Sequence, residues 1–342
     1  MTIPPGTVVA RWRGRSVLVP VRPLVTALGI AVALLVACGA SVAVGNGRTV
    51  GWTAVTSLWS ADDLAAWQIV HVLRLPRFVA GAVAGAALAV SGCLIQALAR
   101  NRLATPDLVG VNDGATVAVL VSVLGTTSGT LGAWWAGPVG AMVAASLVVA
   151  LAGGLGAGGY RVLVVGIGVS VAVDAVTELV LARQNIDAAR GLFTWTLGYL
   201  NGRGYDVAVP VGVGLAVLIP LAVLAGRQLR LLPFGDDTVT TLGVSVVRVR
   251  AGALLAAVVL AGLGVGVGGP IGFVAMAAPI LATRLVGRPR IPVVSSALLG
   301  AVLVTVADTA GRVLGVVEIP AGVLTSLLGG PFLLWVLLSG KV

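Results

Sequence analysis

Between Phe78 and Ala99 the chain runs 22 residues without a charged side chain, and densely marked segments border that run: RLPR at 74–77 and RNRLATPDLVGVNDGA at 100–115. At about 1.5 Å per residue such a run spans about 30 Å, the thickness of a bilayer's hydrocarbon core. A stretch of this kind predicts a membrane-crossing helix with a distinctive sequence at each end.

The pattern recurs along the chain. Residues 23–47 are uncharged and end without a small-residue cleavage pattern, so they read as a first span rather than a removed signal. Residues 114–160 carry no charge for 47 positions, punctuated by a Gly/Thr/Ser cluster at 125–132, which predicts two helices and a turn. Further spans are predicted at 162–182, 207–226, 291–311 and 319–340. The 33 uncharged residues from 251 to 283 are too few for two full spans. They predict a seventh helix, a glycine turn within 262–272 and a short eighth helix, with the irregular backbone shielded by protein.

With 58% hydrophobic and only 10% charged residues, a soluble globular domain is excluded. The fold class expected is an all-α polytopic membrane protein of about ten helices in the cytoplasmic membrane. Residues 1–22 form a basic cytoplasmic segment and 23–342 a single transmembrane domain, with a cytoplasmic connection at about 228–250.

Orientation follows from the 22 basic residues. With the N-terminus inside, seven fall in outer segments (Arg48, Arg74, Arg77, Arg183, Arg190, Arg203, Arg312) and the other fifteen in inner ones. The positive-inside rule then puts both termini in the cytoplasm. The net charge of +10 is thus mostly a topological signal, and nucleic-acid binding has no soluble basic module to support it. Six of the eight tryptophans, Trp52, Trp59, Trp67, Trp134, Trp135 and Trp195, fall near outer loops, as in an interfacial belt.

No catalytic or metal-binding constellation stands out. The single His71 has no neighbouring Cys or Glu, and Cys38 and Cys93 lie in apolar runs where a thiol acts as a small hydrophobe. The only lysine, Lys341, is the penultimate residue and has no glycine-rich phosphate loop before it, so the chain has no ATP site of its own.

Six blocks, in order, resemble the binding-protein-dependent ATP-binding cassette permeases of the iron-siderophore, haem and cobalamin uptake family. They are RLPR at 74–77, GAALAVSGCLIQALARNRLATPDLVGVNDGA at 85–115, WTLGYLNGRGY at 195–205, LPFGDDTVTTLGV at 232–244, GPIGFVAMAAPILATRLVG at 269–287, and the segment at 298–338. The AAP, TRL and LNGRG elements are most similar to the branch serving ferric catecholate siderophores. Three positions depart from the family pattern: Arg102 stands where Pro is usual, and Ile280 and Thr283 where His or Gln and then Arg are usual.

The resemblance implies roles. Gly235, Asp236, Asp237, Leu242 and Gly243 would form the coupling segment seated in a groove of separate ATPase subunits. Arg74, Arg77 and Arg312 would pair with acidic residues of an extracytoplasmic substrate-binding protein. Independently, Asp174 and Glu178 lie four apart on one helical face at membrane depth, where carboxylates face a cavity or a partner. The resemblance implies that this helix borders the translocation path, which makes the two carboxylates candidates to line or gate it, although Glu178 could instead pair with Arg183. Asp308 is expected to be structural, bonded to backbone or to Arg312 one turn away.

These features predict one permease of a pair, a copy or a relative, that carries a ferric siderophore with ATP and Mg held in partner subunits. The chain itself needs no cofactor. Cobalamin or haem is the alternative cargo. An ion-coupled secondary transporter using Asp174 and Glu178 as a proton relay is the rival class, and transport without an ATPase would mark it.

Overall fold

The computed structural model of the protein describes residues 7–12, 15–45, 51–59, 63–124, 132–154, 159–287, 290–314 and 317–339. Arg13, Arg48, Arg288, Lys341 and the punctuation at 125–131 lie outside these. The chain is a helical bundle preceded by a short antiparallel hairpin, β1 (Thr7–Trp12) with β2 (Arg15–Pro20), in register from Thr7↔Pro20 to Trp12↔Arg15.

Among the described residues, seven helical stretches are long and apolar enough to cross a membrane. They comprise α1 (Val21–Ala43), the continuous stretch ending in α4 (Leu75–Ala99), α7 (Gly159–Ala182), α9 (Tyr205–Leu229), α11 (Val246–Gly268), α13 (Val293–Gly311) and α14 (Ala321–Leu338). Three shorter apolar helices complete the ten expected: α5 (Val111–Leu124), α6 (Ala136–Ala152) and α12 (Val274–Val286). Small helices that sequence did not indicate are α2 (Trp52–Thr56), α3 (Leu64–Gln68) and α8 (Ile186–Thr196), whereas α10 (Asp236–Thr241) is the short acidic helix that the segment at 232–244 predicts.

The second span starts earlier than its uncharged run. α3 passes through a π-helical turn at Ile69–Arg74 into α4, so the stretch is 36 residues long and RLPR sits within it. Pro76 follows the π-helical turn inside this continuous stretch, where its missing N–H interrupts the helical hydrogen-bond ladder. Arg100 closes the helix in the left-handed region at φ 50.

α4 is the hub, packed on α9, α11, α12 and α13. Lipid offers helices no hydrophobic reason to associate, so close backbone approach through small residues supplies the contact. A Cβ at Gly85 would overlap the Gly300 carbonyl and one at Gly300 the Gly85 carbonyl, which fixes the α4–α13 distance. Two polar ties cross the same core: Ser91 Oγ donates to Ala257 O at 2.7 Å and Gln96 Nε2 to Met276 O at 3.1 Å.

The glycine turn lies further along than expected. Gly262, Gly264, Gly266 and Gly268 are all helical within α11, and the break comes at 269–273. Gly262 and Gly266 let α11 meet the start of α6, where added side chains would strike Pro138 and the Trp134 carbonyl. The departures at 280 and 283 are absorbed locally. Ile280 is buried against Met276 and Val336, and Thr283 Oγ1 donates to Pro279 O at 2.7 Å, the carbonyl one turn back. Arg102 stands in the turn after α4.

Candidate functional site

Two features stand at opposite ends of α9. Its 25 residues make a rod about 37 Å long. Before it, 201–204 line a cavity of about 470 Å³. After it comes the connection to α11.

That connection begins with a 3₁₀ turn at Leu232–Phe234, whose Leu232 carbonyl accepts from the Arg100 guanidinium at the end of α4. Gly235 at φ 95 and Gly243 at φ 79 bracket α10, a conformation that a Cβ would strain. Asp236 and Asp237 occupy the first turn of α10, where carboxylates favour the positive end of the helix dipole. Asp236 is also held internally, accepting from Arg250 Nη1 and Nη2 at 3.0 and 2.9 Å. Asp237 is exposed, and Phe234 and Leu242 present apolar side chains that are 68% and 63% exposed. Val239 anchors the segment in the core.

The arginines at the other end, which the resemblance would pair with a binding protein, are not exposed. Arg74, Arg77 and Arg312 are buried, because α1, α13 and the 317–320 loop close over them. Arg77 uses every guanidinium nitrogen: Nε and Nη2 donate to Asp308 Oδ1 at 3.1 and 2.9 Å, and Nη1 to Glu318 Oε2 at 2.9 Å. Arg312 donates through Nη2 to Ser41 O and Oγ at 3.1 and 2.7 Å, with its Nε 3.5 Å from Asp308 Oδ2. Arg74 Nη1 donates to Val42 O at 2.6 Å. Asp308 is structural as expected, and its shortest bonds are to Arg77 rather than Arg312.

Two residues of this end were missed in sequence. Glu318 accepts from both Arg77 and Tyr199 Oη, the latter at 2.9 Å. Burial alone would raise its carboxyl, but the Arg77 bond and charge outweigh that and hold it below the usual glutamate range. Arg203 is only 4% exposed. It donates from Nη1 to Gly132 O at 3.2 Å and lies over the Trp195 ring at 5.9 Å. Burial lowers its pKa to about 10, partly offset by Asp206 nearby, so it stays charged at neutral pH. Trp195 is therefore buried beneath Arg203 and does not belong to an interfacial belt. The LNGRG element held the signal for Arg203, an arginine between two glycines at a span end, whereas Glu318 had none.

Asp174 and Glu178 are exposed on α7, the least enclosed of the seven long helices. No ion pair joins Glu178 to Arg183 among the described residues. His71 stacks on Trp67 at 4.5 Å with Nδ1 3.1 Å from the Trp67 carbonyl. Among the described residues no cluster of three His, Cys, Asp or Glu could hold a metal, and Cys38 and Cys93 are both free thiols.

Seven membrane-length and three shorter apolar helices among the described residues, with a short acidic helix at one end of α9 and an arginine-lined cavity at the other, describe a multi-pass membrane protein. Residues 33–339 match the FecCD transport family, and the chain belongs to it. It is 37% identical over 307 residues to the achromobactin transport system permease protein CbrC of Dickeya dadantii, covering 88% of each chain. It is 36% identical over 273 residues to the ferric enterobactin permease FepG of Escherichia coli, covering 80% of this chain and 83% of that one. To the vitamin B12 import permease BtuC of Vibrio cholerae it is 36% identical over 296 residues, covering 84% and 86%. The fold matches a solved structure described as an inward-facing metal-chelate type ABC transporter, with TM-score 0.78, 21% identity and coverage of 94% and 100%.

Proposed function

We propose that this chain is the permease subunit of an ATP-driven importer of an iron–siderophore complex, and that it works beside a second permease, a copy or a relative. The observation that carries the reading is the pairing of two unlike ends on one helix. Exposed Phe234 and Leu242 beside Asp237 form a compact surface suited to a groove on ATPase subunits. The other end offers buried, positively charged groups suited to the acidic residues of a substrate-binding protein. Asp174 and Glu178, on the exposed face of α7, then border the path between the two permeases.

ATP and Mg belong to the partner subunits in this reading, since the chain lacks the lysine-bearing phosphate loop. The iron chelate is cargo and not a resident cofactor. Relatives named for achromobactin, enterobactin and Fe(3+) dicitrate support an iron chelate, and those named for hemin and vitamin B12 keep haem or cobalamin as the second reading.

The experiment is uptake in vesicles that hold this permease with its ATPase subunits, loaded with ATP and supplied with binding protein charged with labelled ferric chelate, haem or cobalamin. ATP-dependent accumulation of the iron chelate alone is expected. Accumulation of cobalamin or haem instead would transfer the assignment to the second reading. Accumulation driven by a proton gradient without the ATPase would overturn the class. The isolated chain is expected to hydrolyse no ATP.

A further inference from the structure

We propose that the docking end contains a fourth arginine with a role of its own, in which Arg203 receives a carboxylate of the binding protein that inserts into the outer cavity. The inference rests on the docking reading above and assigns to it a residue that lies in the block at 195–205 but to which the resemblance gave no role.

The donors at the cavity decide which guanidinium can accept a newcomer. Arg77 has all three nitrogens engaged by Asp308 and Glu318. Arg312 is tied to Ser41 and Thr309 through Nη2, and its Nε, buried without a hydrogen bond, stands 3.5 Å from Asp308 Oδ2. Arg74 and Arg203 each use only Nη1, toward the Val42 and Gly132 carbonyls, and Arg203 differs in the state of its other two nitrogens. Its Nε and Nη2 are buried and have no hydrogen-bond partner among the described residues. Asp206 lies near enough to favour the positive charge but forms no ion pair with it.

The identity of the two unused atoms indicates the ligand. Nε–H and Nη2–H lie along one edge of a guanidinium and point in parallel, the fork that matches both oxygens of a carboxylate. Arg77 turns that same edge, Nε with Nη2, to Asp308. Burying two unpaired donors of a charged group is costly, and a fold tolerates it where the pairing is completed in a complex. Surroundings favour an anion as well: Arg74, Arg77 and Arg312 line the same cavity, and Glu318, already claimed by Arg77 and Tyr199, is the one carboxylate among the lining residues. The cavity is about 470 Å³, ample for an Asp or Glu side chain. A carboxylate entering it meets three arginines that already hold partners and, once the buried edge of Arg203 is uncovered, one vacant fork.

The test uses the permease with its ATPase subunits in lipid nanodiscs and measures binding-protein affinity at low and at physiological ionic strength. Arg203→Gln should weaken docking at least about tenfold, because it removes one partner of a desolvated charge pair. Arg203→Lys keeps the charge and a donor for Gly132 but cannot form the fork, and should weaken docking by about three- to tenfold. Thermal unfolding of the unliganded complex monitors folding. Should Arg203→Gln fail to assemble, the lysine variant decides. Arg74→Gln is the arm for the docking reading itself. If it leaves affinity and salt dependence unchanged, that reading falls. If it weakens docking while Arg203→Lys binds as tightly as wild type, the Arg203 assignment alone is overturned. Each variant is compared with cargo-loaded and cargo-free binding protein. Equal losses are expected for a carboxylate of the protein, and a loss confined to the loaded form would assign the fork to the cargo and overturn the proposal.

Discussion

Asp308 and Asp236 each accept from an arginine, yet their surroundings give the two pairs very different weights. Asp308 is buried between two buried guanidiniums, whereas Asp236 and Arg250 are roughly half exposed. Removing one partner of a buried pair leaves an uncompensated charge, so Asp308→Asn should cost about 3 kcal/mol or more. An exposed pair contributes little, and Asp236→Asn should cost less than about 1 kcal/mol. Thermal unfolding of the two variants in one detergent checks the contrast. Two other carboxyls shift in opposite directions. Burial, with the Asp113 charge adding to it, raises Asp107 to about 6, although part of its surface is open. A raised carboxyl pKa means that the folded state holds its proton longer, so stability should decline as pH rises from about 4 to 6, and Asp107→Asn should flatten that slope. Glu318 is held low, so its contribution is complete above the usual glutamate range and is lost only as pH falls below about 4.5. Glu318→Gln should abolish that acid limb in a pH series of melting curves. Of these contacts only Asp308–Arg312, one helical turn apart, was legible in sequence. Arg77 reaches Asp308 and Glu318 across 231 and 241 residues, and no local pattern encodes such a pairing.

At the scale of elements, uncharged runs located the seven membrane-length helices and the three shorter apolar ones because desolvating a charge in hydrocarbon is costly enough to show in sequence. The same logic truncated the second span. His71, Arg74 and Arg77 looked like loop residues, but the helix continues through them because α13, the 317–320 loop and α1 supply acceptors. α8 was missed for a related reason, since Asp187 and Arg190 break its apolar run. Glycines in α11 were read as a turn because composition cannot distinguish a glycine that bends the chain from one that lets a neighbour approach. The packing makes a direct prediction. Gly85→Ala or Gly300→Ala forces a methyl into the facing backbone, and should cost about 1–3 kcal/mol despite the better helix propensity of alanine. Gly39→Ala on α1 meets nothing within 4 Å and should be neutral or slightly stabilising. Unfolding midpoints of the three variants measured together would expose any error, and tolerance at Gly85 and Gly300 would mean that α4 and α13 do not meet there.

Taken as one molecule, the chain puts its two proposed partner surfaces about 37 Å apart on α9, and that separation makes them independently testable. The coupling segment was legible as a glycine-bounded acidic helix between spans, but not the division of labour within it. Asp236 belongs to an internal ion pair with Arg250, whereas Asp237, Phe234 and Leu242 face outward. Reversing Asp236 would therefore disturb the helix itself and confuse loss of structure with loss of partner. Asp237→Arg combined with Leu242→Asp alters only the outward face. An exposed apolar side chain that fills a partner's pocket can dominate an interface, so the double variant should weaken ATPase-subunit association at least about tenfold and lower uptake accordingly. Binding-protein affinity should stay within about twofold of wild type, because substitutions this far apart with no shared partners act independently. Pull-down of ATPase subunits and binding-protein titration on the same nanodisc preparation give both readings. Retained ATPase association with full transport would remove residues 234–242 from the coupling role. Loss of both interactions together would show that the two ends are not separable, and that the variant perturbs the bundle joining them.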